Sequence, residues 1–128
     1  MEKFELKESV KVPRILIDYQ KGEIKITGRS TLNNPSEFYS RLIKLFQLYT
    51  LNPQPITYIL VDLEYYHPDS SVHIFAIIKM LLDLEKKNKS KVAISWHYDP
   101  DDYYIIKDIN QLSVEMNFKI NAYAYETV

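Results

Sequence analysis

Ile56-Thr57-Tyr58-Ile59-Leu60-Val61-Asp62-Leu63, then Glu64 to Ser71, then Val72 to Leu84, is the stretch that decides the fold of this chain. Its first eight residues are almost continuously apolar and rich in branched side chains, which predicts a strand covered on both faces. Val72 to Leu84 is apolar nearly all round, interrupted by Lys79 and Asp83, which predicts a deeply packed helix. Buried strand, polar turn and packed helix, in that order, are the repeating unit of a parallel sheet.

Downstream, Lys86-Lys87-Asn88-Lys89-Ser90 reads as a basic helix end and a solvated loop, and its cations complement the C-terminal dipole. Val92 to Tyr98 is a further strand. Asp99-Pro100-Asp101-Asp102 is a turn that caps a third helix, Asp102 to Met116, and Phe118 to Ala124 alternates as a closing strand. Upstream, Arg14 to Tyr19 and Glu23 to Thr27 flank the turn Gln20-Lys21-Gly22 and make a β-hairpin. Asn34 then suits an N-cap, Pro35 the first helical position and Glu37 the third position of a capping box. Phe38, Leu42, Leu45 and Tyr49 share one face of that helix, widened by Ile43 and Phe46, and Asn52-Pro53-Gln54-Pro55 ends it. The expected order is β-β-α-β-α-β-α-β: an α/β class domain with a mostly parallel sheet and packed helices, residues 1–128 forming one unit.

Composition narrows the function. With 128 residues, 46% hydrophobic, the chain can bury a core without a metal or disulfide staple. Sixteen basic against 17 acidic residues give a net charge of −1, against a nucleic-acid-wrapping role. The absence of Cys removes disulfides, thiolate metal sites and cysteine catalysis. No stretch reaches the ~18 apolar residues that span a bilayer, so no membrane insertion is expected. The mixed-charge segment Met1 to Glu8 does not resemble a signal peptide, and a cytoplasmic protein is expected. Eleven Tyr is a high count, and amphipathic aromatics favour interfaces.

Enzyme signatures are missing: there is no G-x-S-x-G, P-loop, H-E-x-x-H or G-x-G-x-x-G. His67 and His73 are six apart, unsuited to a helical zinc pair. The acids of Asp99 to Asp102 lack the Gly and distal Glu of an EF-hand loop and read better as helix caps. No catalytic, cofactor or metal residues are therefore assigned.

What remains is the turn Leu63-Glu64-Tyr65-Tyr66-His67-Pro68-Asp69-Ser70-Ser71-Val72, because ligands and regulatory chemistry in open α/β sheets gather where strands end in helices. Asp69, Ser70 and Ser71 are natural helix caps, a reading that needs no function. Arg14 and Arg29 suit recognition of an anion or carboxylate, or simply pack along their strands. Trp96 and Tyr98 share a strand face and read as core.

Asp69-Ser70-Ser71 opening a helix after the third expected strand resembles STAS domains, the fold of bacterial anti-sigma factor antagonists, in which a Ser of this turn is phosphorylated by a partner kinase. Residues from about Val12 to Phe118 resemble the SiaC family of bacterial regulatory phosphoproteins. The likeness is carried by Pro13 to Asp18, Gly22-Glu23-Ile24, Ile26 to Ser30, Glu37-Phe38-Tyr39, Leu63 to Tyr66 and Trp96-His97-Tyr98. It implies a STAS-like, non-catalytic regulator toggled by a serine/threonine kinase and a phosphatase, whose unmodified form binds and activates a diguanylate cyclase. The family's turn typically reads Leu-x-Tyr-x-Asn-Thr-Ser-Ser, with the Thr as phosphoacceptor. Here His67 stands for the Asn, Pro68 for that Thr and Asp69 for the first Ser, while Ser70 coincides with the second. Pro accepts no phosphate, so either Ser70 or Ser71 is the acceptor or the chain is a constitutive adaptor. Asp69 is a poor substitute for a phosphate of about −1.5 to −2 charges. Tyr65, Tyr66, His67, Pro68, Asp69, Arg14 and Arg29 are the expected partner-binding residues.

Overall fold

The computed structural model describes residues 2–126. Its elements are β1 (Lys3–Leu6), β2 (Arg14–Asp18), β3 (Glu23–Ser30), α1 (Pro35–Leu51), β4 (Ile56–Tyr66), α2 (Pro68–Lys86), β5 (Lys91–Tyr98), α3 (Tyr103–Met116) and β6 (Asn121–Ala124). They build one six-stranded sheet whose spatial order is the chain order, β1-β2-β3-β4-β5-β6. The first two pairings are antiparallel and the last three parallel, as expected of a hairpin followed by β-α-β crossovers.

β1 is an addition to the expected order. Lys3-Phe4-Glu5-Leu6 is short and half charged, so it carries little strand signal, yet it pairs with Ile15 to Asp18 and covers the hairpin's outer edge. The hairpin turn needs its glycine. Gly22 has φ 68°, and a Cβ there would lie 2.5 Å from the Ile56 carbonyl oxygen.

The crossovers advance in one direction, and right-handed crossovers of that kind place their helices on one face of the sheet. Ile59, Val61 and Leu63 of β4, Ile94 and Trp96 of β5, and Ile77, Ile78 and Leu81 of α2 join in one buried core. The alternate side chains of β4 face the other way: Tyr58 is 51% exposed, and Leu60 and Asp62 are half-buried. This corrects the expectation that Ile56 to Leu63 is covered on both faces. Helices cover one face only, and the near-continuous apolar run reflects Tyr58 and Leu60 on the open side.

Helix α1 also departs from expectation. Asn34 makes no side-chain cap bond to the backbone, and Glu37 pairs with Arg41 at 3.2 Å instead of closing a capping box. Its buried stripe is Tyr39, Leu42, Phe46 and Tyr49, with Phe38 and Leu45 at the margins. Two of these are tied inward by hydroxyls: Tyr39 to Ser30 at 2.6 Å, and Tyr49 to Thr57 at 2.7 Å.

The central turn is shorter than expected, because β4 runs on to Tyr66 and α2 begins at Pro68. A bulge makes this possible. Gly28 pairs with Leu63 but Arg29 with Tyr65, leaving Glu64 as the extra residue. The shift keeps Leu63 and Tyr66 facing the core while Glu64 and Tyr65 face solvent. Tyr98 is half-buried, a partial core residue, whereas Trp96 is fully buried as expected.

Candidate functional site

Proline at the first helical position sets the start of α2, and the preceding residue supplies the cap. His67 Nδ1 accepts the Asp69 N–H at 3.1 Å, and the His67 N–H donates to the Ser30 carbonyl at 2.9 Å. An Nδ1 that accepts carries no proton, so the 3.6 Å approach of Asp69 Oδ2 is no ion pair in this state. Asp69, Ser70 and Ser71, natural caps by residue type, lie instead inside the first turn.

The two serines differ sharply. Ser70 is fully buried, and its Oγ has no hydrogen-bond partner among the described residues. Ser71 is half-buried and its Oγ donates to the Pro68 carbonyl at 2.7 Å, a bond that rotation of the hydroxyl releases.

Of the two tyrosines, Tyr65 is 43% exposed and Tyr66 8%. The Tyr66 hydroxyl donates to Asp108 Oδ2 at 2.7 Å. Burial, that hydrogen bond and the charges of Asp108 and Asp102 push the Tyr66 phenol above its ordinary value, so it stays a donor. The ring packs edge-on against Phe75, which in turn leans on Trp96.

Arg29 sits beside Tyr65 in register, and its Nε approaches Glu64 at 3.5 Å with both side chains largely exposed. Arg14 is two strands away on β2, where it bonds Glu5 of β1 at 2.6 Å. That hydrogen bond and charge hold the Glu5 carboxyl below the usual carboxylate range. The structure thus gathers Tyr65, Tyr66, His67, Pro68, Asp69, Ser71 and Arg29 at one end of the sheet and leaves Arg14 apart.

A cavity of about 420 Å³ opens at this end. Tyr65 and Tyr66 of β4 and Pro68 and Ser71 of α2 form one side of it. Asp102, Tyr104, Ile105 and Asp108, from the start of α3, form the other. Sequence reasoning took Asp102 only as the cap of α3, which it is: its Oδ1 accepts the Ile105 N–H at 3.1 Å. Asp108 was missed, although its position three residues after buried Ile105 and four before buried Leu112 sets a carboxylate on the packed stripe. Nearby, the Tyr125 hydroxyl donates to Asp62, tying the segment after β6 to the middle of the sheet. Among the described residues no group of three or more His, Asp or Glu could hold a metal ion, and no helix is long and apolar enough to cross a membrane.

No curated relative matches the chain. Solved structures do. A chain in the crystal structure of the diguanylate cyclase SiaD in complex with its activator SiaC, from Pseudomonas aeruginosa, superposes with a TM-score of 0.82 at 19% identity, covering 95% of this chain and 99% of that one. SiaC of Pseudomonas aeruginosa gives 0.79 at 18% identity, covering 98% of this chain and all of that one. The apo-SiaC crystal structure from the same organism gives 0.74 at 19% identity, covering 98% of this chain and 100% of that one. These likenesses establish the fold. The SiaC family of regulatory phosphoproteins itself matches over residues 6–125, nearly the whole chain, and the chain belongs to that family.

Proposed function

We propose that this chain is a non-catalytic regulator that docks a protein of the diguanylate cyclase class through the sheet end around Tyr65 to Ser71. In this reading a serine/threonine kinase phosphorylates Ser71, a phosphatase reverses it, and the modification weakens docking. The observation that carries the reading is that the Ser71 side chain opens onto the cavity while Ser70 is closed off in the core. Family membership supports it, as does the likeness to SiaC, the activator of SiaD in the Pseudomonas aeruginosa complex. A phosphoryl group on Ser71 would project into the cavity and take up space that a docking segment enters. It would also add a dianion to be desolvated at the interface, at a cost of several (about 2–5) kcal/mol where no cation of the partner meets it.

A second reading, a constitutive adaptor, is favoured by a specific observation. Asp102 and Asp108 share the cavity with Ser71 and would repel a phosphate, and Pro68 occupies the position that resemblance gives to the family's acceptor.

Phosphopeptide mapping of residues 58–79 from the native cells, with calorimetric binding of a diguanylate cyclase of the same organism, separates these readings. Phosphate on Ser71 with binding weakened about tenfold or more supports the switch. Binding without phosphate under every growth condition supports the adaptor. A cyclase that binds neither form overturns both.

A further inference from the structure

We infer that the cavity between the starts of α2 and α3 takes an arginine side chain of the docking partner, its guanidinium meeting Asp108 and Asp102 between tyrosine rings. The inference rests on the docking reading above and adds to it the chemistry of the partner for the unmodified chain: a phosphoryl group on Ser71 would take up cavity space that the side chain enters.

Three observations lead there. First, the cavity is lined by two carboxylates and by no Lys, Arg or His. Among the described residues neither aspartate takes part in an ion pair. Each uses one oxygen internally, Asp108 Oδ2 toward Tyr66 and Asp102 Oδ1 toward Ile105, and the second oxygen of each has no hydrogen bond among the described residues. In a chain of net charge −1 this is a concentrated negative site without an internal counter-ion.

Second, the walls are aromatic. Tyr65, Tyr66 and Tyr104 line the same space. A planar guanidinium stacks on such rings while its fork bonds carboxylates, a combination that a compact, strongly hydrated ammonium does not match.

Third, the surroundings are those of a protein interface and not of a free small cation. Tyr104 is 77% exposed and Tyr65 43%, and Tyr103, edge-on to Tyr104, is 69% exposed. A bare cation would leave this apolar rim wet, whereas a partner segment carrying the arginine covers it. Tyrosine surrounds with a central arginine anchor are typical of residues that dominate binding energy.

The test uses the intact chain and N-acetyl-L-arginine methylamide, followed by NMR, with the citrulline analogue as its uncharged isostere. The arginine amide is expected to shift Tyr66, Tyr104 and Ile105 signals saturably, and the citrulline amide is expected not to. Asp102→Asn with Asp108→Asn keeps the cap and the Tyr66 acceptor but removes both charges, and should weaken the arginine amide about tenfold or more. Tyr104→Ala, at an exposed position, provides a second variant that leaves the core untouched and should also weaken it. No saturable shift, equal shifts from citrulline, or tighter binding of putrescine overturns the inference. The cyclase, titrated against the chain and the double Asn variant, separates the two proposals. Equal binding to both defeats the arginine inference and leaves docking standing. Binding to neither defeats docking, and the arginine amide then decides the chemistry of the cavity alone.

Discussion

Ser70 and Ser71 are neighbours that meet opposite environments, and substitutions at the two should diverge accordingly. Ser70 carries a buried hydroxyl with no partner. Ser70→Ala removes a desolvated polar group and is expected to leave the unfolding free energy unchanged or to raise it by up to about 1 kcal/mol. Ser70→Asp buries a charge and is expected to cost about 2–5 kcal/mol, whereas Ser71→Asp should cost under about 1 kcal/mol. Urea midpoints of the three variants check this ordering; equal midpoints for the two Asp variants would contradict the burial. An aspartate at 70 therefore tests the integrity of the first turn of α2 and is no phosphate mimic. The run Tyr65 to Ser71 was legible as a site because strand, turn and helix start follow one another in the chain. Asp102 and Asp108 were not, since what sets them against Tyr66 is the packing of α3 beside α2, a tertiary fact that no local pattern encodes.

Among the elements, the bulged pair β3–β4 decides which side chains the turn presents. Gly28 faces the bulge at φ 103°, and a Cβ there would come within 2.7 Å of Glu8 Oε2. Gly28→Ala is expected to destabilise the fold by about 1–3 kcal/mol through backbone strain. The Glu8 carboxylate is the end of a flexible side chain and can move away, so the loss should persist when Gly28→Ala is made on a Glu8→Ala background. Full recovery there, read by thermal unfolding, would assign the cost to the contact instead. The long alternating or apolar segments, β2 to β5 and the three helices, could be read from periodicity. The boundaries could not: β4 ran past Leu63 and α2 began at Pro68, because a bulge and a histidine cap let strand pass into helix within one residue. β1 escaped because four half-charged residues form a strand only when an edge is waiting for them.

At the scale of the molecule, tyrosines with raised phenols, among them Tyr19 through burial, link stability to alkaline pH. Burial pushes the Tyr39 phenol up to about 12. Burial, with a hydrogen bond to Asp108 or Asp62, also raises those of Tyr66 and Tyr125. In the unfolded chain these groups ionise near their ordinary value of about 10. The folded state holds the protons more tightly, so this stabilisation is complete below about pH 10 and is lost as pH rises toward and through 12. Urea midpoints should fall over that interval, with Tyr39→Phe flattening the decline; a midpoint independent of pH there would contradict the burial of these rings. The sheet's strand order has a different consequence. Because spatial order equals chain order, every strand finds its partner in the strand made just before it. During synthesis from the N-terminal end, each β-α unit can therefore dock on a finished edge as it emerges. No strand has to be threaded between two that already pair, and the growing chain offers one edge at a time for the next.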